Sequence, residues 1–243
     1  MPSISYKIVI PEVWNKDTYQ DFLQSLLKLG TKKYKEFNEK ITSTKYEMIG
    51  INIPILRNIA KKISKTNIYK YLRYSKNHYF EEVLLQGLVI SYIDDYDIFV
   101  EYFRSYVKRV DNWALCDTAI TSFTIIKENK ERFINIIDEF VKSDSPFYVR
   151  VGVVSLLTHY VDDKNYLDNF YATVDNIHHD NYYVKMSIAW FLSVLFVKYR
   201  TKTIHYLNHN NLDDFTMNKT VQKIRESFRV SLLDKKMVLK YKR

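Results

Sequence analysis

Two side chains with chemistry to offer stand one helical turn apart in the stretch VDNWALCDTAITSF: Trp113 and Asp117. At an i, i+4 spacing an indole and a carboxylate share one face of a helix. Downstream, FYVRVGVVSLL carries Arg150, and YYVKMSIAWFLSV carries Lys185 and Trp190. Each charge lies in a largely apolar stretch, where burial costs free energy unless the group is paired or used. Gathered on one surface, these residues would offer a carboxylate, two cations and two aromatic faces to a ligand. The plainer reading makes Asp117 and Arg150 a salt bridge between packed helices and both tryptophans core residues.

Other reactive groups promise less. His205 and His209 have the spacing of a metal pair, yet Tyr206 follows His205 where a general-base Glu would stand, and no third ligand is evident. No metal is expected. Cys116, the one cysteine, excludes a disulfide scaffold and a thiolate zinc cluster. Beside Asp117 its thiolate is disfavoured, and it reads as a small buried hydrophobe. His178 and His179 read as solvent-facing loop residues. No glycine-rich phosphate loop is present, so no nucleotide or other cofactor is expected.

The elements that must position these groups follow from composition. The 243 residues include only 4 Gly and 4 Pro, against 21 Tyr, and 47% are hydrophobic. Sheets and barrels consume turns, and turns consume Gly and Pro, so the chain reads as all-α. No apolar run approaches the ~18 residues of a membrane span, and MPSISYKIVIPEV lacks a signal-peptide pattern. A monomer in the cytoplasm, off the membrane, is expected. Residues 1–15 show no helical period and read as an N-terminal extension. Asp17 is expected to cap a first helix running through Leu29, with Gly30 as its stop. Pro54 opens the helix PILRNIAKKIS.

A self-comparison exposes an internal repeat. Apolar segments begin at Tyr79, Trp113, Phe147 and Tyr182, with a weaker fifth from Asn218, at steps of 34, 34, 35 and 36 residues. Each is expected to run for about four helical turns. Amphipathic partners lie between them: DIFVEYFRSYV, RFINIIDEFV, YLDNFYATVDNI and TKTIHYLN. One helix pair per period predicts an α-solenoid superhelix of antiparallel pairs, the apolar helices forming the inner layer, as a single domain over 16–243. Lys185 is the repeat equivalent of Arg150, and Arg150 lies one place from the equivalent of Asp117.

At these residues the chain resembles the AlkD-like DNA alkylation repair family. The likeness rests on VDNWALCDTAITSF, the arginine of FYVRVGVVSLL, YYVKMSIAWFLSV, MIGINIPILRNIAKKI and LDDFTMNKTVQKIRESFRVS, in order, and runs from about Tyr19 to Arg229. It implies HEAT-like repeats that hold duplex DNA in a concave basic groove and hydrolyse the N-glycosidic bond of N3- and N7-alkylated purines. The family's Trp-x-x-x-Asp pattern falls on Trp113 and Asp117, its inner-helix arginine on Arg150 and its second active-site tryptophan on Trp190. The chain departs from the pattern at Ala114, and at Ser193, where active members carry Arg.

The implied chemistry suits those residues. A purine alkylated at N3 or N7 is cationic and leaves without protonation, so catalysis consists of stabilising an oxocarbenium-like sugar and placing a water. Asp117 serves both purposes, the indoles hold the cationic sugar by contacts worth about 0.5–2 kcal/mol each, and Arg150 orients the acid or holds a flanking phosphate. The likeness also implies a shallow groove, without extrusion of the lesion into a deep pocket.

The formal charge of +9, from 37 Lys and Arg against 28 Asp and Glu, fits such a partner. Arg57 and Lys61, with Lys32, Lys33, Lys35 and Lys62, cluster towards the N-terminus. Lys219, Lys223 and Arg225, with Arg229, cluster towards the C-terminus, and Lys185 lies between. About six phosphate contacts would give a log–log salt slope near −5. The alternatives are a catalytically silent nucleic-acid-binding paralogue, suggested by the altered Trp190 helix and the short N-terminal region, and a protein-interaction solenoid.

Overall fold

A computed structural model describes residues 8–243; among them the chain is helical, without strands, and one isolated bridge joins Glu47 to Tyr79. The chain divides into two compact units, with the boundary between Ile125 and Ile126. The first contains α1 (Lys16–Leu27), α2 (Lys32–Ile41), α3 (Ile53–Ile63), α4 (Ile68–Tyr74), α5 (Phe80–Ile90), α6 (Tyr96–Val107) and α7 (Trp113–Ile120). A short helix, α8 (Ile125–Glu128), spans the boundary. The second contains α9 (Lys130–Phe140), α10 (Pro146–Ser155), α11 (Leu167–Asp175), α12 (Tyr182–Lys198), α13 (Arg200–Asn208), α14 (Asp214–Glu226) and α15 (Leu232–Met237).

The repeat segments lie on α5, α7, α10, α12 and α14, and the amphipathic partners on α6, α9, α11 and α13. Each unit is organised around a repeat helix. In the first, α5 packs against α3, α6 and α7, and every one of its residues is buried. In the second, α12 packs against α10, α13 and α14.

Local chemistry moves several expected boundaries. The cap of α1 is Asn15, not Asp17: its side-chain oxygen accepts the N–H groups of Asp17 and Thr18, while Thr18 Oγ1 accepts the Asn15 N–H. That reciprocal pair satisfies two groups an uncapped end would leave open. Asp17 falls in the first turn, where its charge still complements the helix dipole. The helix stops at Leu27 rather than Leu29. Gly30 has a different use: a Cβ there would lie 2.4 Å from the Ile49 carbonyl oxygen.

Three repeat helices, α5, α7 and α10, fall short of four α-helical turns, with 11, 8 and 10 residues. After Ile120, the hydroxyls of Thr121 and Ser122 donate to the carbonyls of Asp117 and Thr118, and α7 ends. Such back-bonding competes with the helical ladder. Likewise α10 gives way after Ser155 to a π-helical turn, Leu156–Tyr160.

Residues 8–15 form neither helix nor strand, and residues 1–7 of the expected extension lie outside the described residues. Trp14 nevertheless belongs to the core. Its Nε1 donates to Thr66 Oγ1 at 2.7 Å, and its ring meets Tyr71 and Phe22 at 4.9 and 5.3 Å, each edge to face.

The decisive polar cluster of the first unit is a pair of acids at the start of α5. Glu81 is fully buried, and its two oxygens accept the backbone N–H groups of Ile49, Gly50 and Ile51 at 2.8, 2.7 and 3.1 Å. Glu82, equally buried, accepts from the Tyr19 hydroxyl and from the N–H groups of His78 and Tyr79. Burial first, then the Glu82 charge, holds the Tyr19 hydroxyl far above its ordinary pKa, so it stays a donor. Gly50 has φ +96°, a left-handed conformation that a side chain would strain.

Replacing Glu81 with Gln puts an amide N–H₂ where a carboxylate oxygen accepted a backbone donor. We expect the unfolding free energy to fall by about 2–4 kcal/mol, measured by urea denaturation. An unchanged midpoint would show that the three N–H groups find other partners.

Candidate functional site

In the first unit the site is built from the start of α7. Asn112 caps the helix by accepting the Leu115 N–H at 3.0 Å and donates its own amide to Asp111 at 2.6 Å. Asp111 in turn accepts the Thr44 hydroxyl and the Lys45 N–H, tying the segment after α2 to the head of α7. Trp113, the first helical residue, donates its indole N–H to the Ile41 carbonyl at the end of α2, at 3.1 Å. Asp117 follows one turn later. Ala114, Leu115, Cys116, Ala119 and Ile120 take the buried face, which leaves Trp113 and Asp117 half-exposed on the other. Cys116 is buried, as its surroundings suggested.

Arg57 approaches the same helix from α3. Its guanidinium donates to Ser122 Oγ at 2.8 Å and to the Thr118 carbonyl at 3.4 Å. A cation is thereby placed at the C-terminal end of α7, where the helix dipole favours it. Lys61 is exposed on α3, one turn beyond Arg57. The first unit thus brings an indole, a carboxylate and a guanidinium to one short helix.

In the second unit Arg150 is only 6% exposed, and its Nη1 donates to the Tyr183 carbonyl in the first turn of α12, at 2.7 Å. The Phe147 and Tyr183 rings meet beside it at 5.5 Å. Trp190 lies half-exposed on α12, and Ser193, buried, donates its hydroxyl to the Trp190 carbonyl at 2.7 Å. Of the three tryptophans only Trp14 is core. Lys185 pairs with Asp180 and Asp213, at 3.3 and 3.4 Å. Burial opposes its charge, but hydrogen bonds and Coulombic attraction from the two aspartates prevail and raise its pKa.

The C-terminal cations fall on α14. Lys219 reaches Gln222 and the face of the Phe215 ring, and Lys223 pairs with Glu226. Lys219 and Arg225, with Lys242 and Arg243, line a groove of about 620 Å³ on the second unit. Sequence reasoning missed Lys242 and Arg243, which come to α14 from the end of the chain. It also missed Glu81 and Glu82; two acids inside an apolar run were the signal available.

Among the described residues no three His, Cys, Asp or Glu side chains are placed to hold a metal ion. The His205 and His209 rings lie 5.0 Å apart, and His209 Nδ1 lies 3.2 Å from the His205 carbonyl oxygen. No helix among the described residues is long and apolar enough to cross a membrane.

A family model described as DNA alkylation repair enzyme matches residues 22–224. The chain belongs to that family. No match to it is found among curated proteins or among solved structures. Membership in the DNA alkylation repair enzymes assigns the chain to DNA repair and makes DNA its substrate. The matched span includes Trp113, Asp117, Arg150, Lys185 and Trp190, as well as Arg57, Lys61, Lys219 and Lys223, whereas Arg225 lies one residue beyond it.

Asp213, which caps α14 through the Thr216 N–H at 3.2 Å, links that helix to Lys185. Its burial raises the carboxyl pKa, but the Thr216 hydrogen bonds and Lys185 outweigh burial and hold it below the ordinary value. A depressed folded-state pKa stabilises the fold above the unfolded value, and that contribution is lost as the pH falls through the depressed one. Asp213→Ala should therefore cost about 1 kcal/mol at pH 7, and its deficit should shrink below about pH 4. Denaturation midpoints at pH 7 and pH 3 check this; an equal deficit at both would assign the cost to packing alone.

Proposed function

We propose that the chain is a DNA glycosylase that hydrolyses the N-glycosidic bond of N3- and N7-alkylated purines in duplex DNA. The observation that carries the reading is the half-exposed Trp113–Asp117 face of α7 in a DNA alkylation repair enzyme. An acid that must meet a cationic sugar and a water has to stay accessible, and this one does. Asp117 is the electrostatic catalyst and positions the water. Trp113 and Trp190 present their faces to the sugar and lesion. Arg150 is the supporting cation, with its side chain already oriented by the Tyr183 carbonyl. Arg57, Lys61, Lys219, Lys223 and Arg225 contact phosphates, and Lys185 acts through its two aspartates or by releasing them. The reading requires the repeats to stack as one HEAT-like solenoid over 16–243, with these residues along a single basic groove. It needs no cofactor, and it places a monomer in the cytoplasm.

One observation favours a nucleic-acid binder without base release instead. At Ser193 the family's arginine is replaced by a hydroxyl turned back onto its own helix, so the Trp190 surface has one cation fewer.

The test is release of free 7-methylguanine from methylated duplex DNA under single-turnover conditions. Wild type should release it, and Asp117→Asn should be slower by about 10²-fold or more, the size of effect seen when one preorganised electrostatic group is lost. No release by wild type, at protein concentrations that saturate the DNA, would sink the glycosylase reading and leave the binder.

A further inference from the structure

Residues 218–243 carry nine Lys and Arg against two acids, Glu226 and Asp234, so most of the chain's +9 excess lies in its last 26 positions. The same stretch holds the most exposed large apolar side chains among the described residues. Phe228 is wholly exposed, and Leu232 and Leu233 are 78% and 81% exposed. A phenyl ring left in water forgoes the free energy of burial. Its neighbours show that the ring does not ride on a loose tail. The turn after α14 is closed by the Val230 N–H on the Ser227 carbonyl and the Arg229 N–H on Ser227 Oγ. Val230 is buried, and Ser231 caps α15 through the Asp234 N–H. Asp234 then takes a two-pronged ion pair from Arg200 of α13, with Nε at 3.0 Å and Nη2 at 2.6 Å. The backbone on both sides of Phe228 is fixed, and only the ring projects.

The α14 lining of the groove ends at Glu226, two residues before Phe228. The groove's lining holds four cations, Lys219, Arg225, Lys242 and Arg243, and one acid, Glu226, which is occupied by Gln222 and Lys223; Arg243 also lies 3.8 Å from Asp214, in the first turn of α14. Arg243 is itself held in place, by the Leu212 carbonyl and the Asn210 side chain. A cation-lined channel followed at once by a projecting aromatic ring fits a polyanion whose interior is made of flat apolar faces. That describes a nucleic acid. A lipid surface would meet the same charge but would need a broader apolar face than a six-residue helix provides.

We propose that the C-terminal end of the second unit extends the DNA contact beyond α14, through the turn at Phe228 and the last residues of the chain. Backbone phosphates lie along the groove of Lys219, Arg225, Lys242 and Arg243, and Phe228 wedges against the bases of an opened step. The contact rests on the reading that the chain acts on DNA, but it does not require base release. Lys219 lies within the residues that the family model matches, 22–224, and Phe228, Lys242 and Arg243 lie beyond them.

The experiment measures binding of a labelled duplex by fluorescence anisotropy across a salt series, with duplex bending read by energy transfer between its ends. Wild type is compared with Phe228→Ala and with Arg225→Glu/Lys242→Glu. Phe228→Ala removes a fully exposed ring and leaves the fold intact. It should weaken binding about tenfold, keep the salt slope and abolish bending. The charge reversal should weaken binding further and make the log–log slope shallower by about two. Phe228→Ala with wild-type affinity and bending would overturn the wedge, whatever the outcome of the base-release assay. Wild type that binds duplex but releases no base would sink the glycosylase reading and leave this contact standing. Loss of binding to vesicles containing phosphatidylserine in Phe228→Ala, with DNA affinity unchanged, would show a membrane contact and overturn the proposal.

Discussion

Two adjacent carboxylates, Glu81 and Glu82, sit in the first turn of a helix with no solvent-exposed residue. Uncompensated, such a pair would be untenable in an apolar interior. Here five backbone N–H groups and one tyrosine hydroxyl converge on four oxygens, drawn from residues 49–51, from residues 78–79 and from α1. The cost of burying the acids becomes a geometric constraint, because each donor has one place to go. Residues 49–51 lead directly into α3, and α7 packs on the same α5. The two helices that present Arg57 and the Trp113–Asp117 face are therefore registered against one buried point. Gly50, with its positive φ, belongs to the same constraint, since its N–H is one of the donors to Glu81.

The second unit solves a similar problem with the opposite charge. Arg150 is almost fully buried on α10, and it reaches the first turn of α12 through the Tyr183 carbonyl. Two residues along α12, Lys185 holds Asp213 and so the head of α14. Cations on the repeat helices thus bind the N-terminal ends of the next repeat helices in sequence. A helix N-terminus repels a cation, yet both contacts are made to oxygens, one a carbonyl and one a capping carboxylate, that mask the dipole. Repeat-equivalent positions 150 and 185 serve equivalent joints, a physical reason for basic residues in otherwise apolar segments that is independent of any ligand.

What the sequence made legible follows the reach of each interaction. The helix pairs and their period could be read because hydrophobic periodicity extends over whole elements. The face shared by Trp113 and Asp117 could be read because it depends only on helical spacing. The cap of α1 was read as Asp17 and is Asn15, because Thr18 closes the reciprocal pair from Asn15. The end of α7 was set by two hydroxyls bonding to their own helix, a competition invisible in hydropathy. Asp213, the more distant partner of Lys185, and the partners of Glu81 lie about 28 to 32 residues away. Only folding brings them together, so the sequence could flag the charge but not name its partner.

The distribution of uncompensated charge separates the two basic clusters that composition treated alike. On α2, Lys32 lies 3.7 Å from Glu36, and Lys35 lies within 4.0 Å of Glu39 and Glu47. These are exposed pairs of modest strength, but their acids offset part of the positive charge a polyanion would meet. Residues 218–243 hold two acids, and both are engaged, Asp234 by Arg200 and Glu226 by Gln222 and Lys223, while Asp214 at the head of α14 pairs with Arg243. Counterion release scales with the number of cations free to replace salt at phosphates. A polyanion would therefore be drawn first to the end of the chain rather than equally to both basic clusters. The aromatic ring that stands exposed there would meet it on arrival.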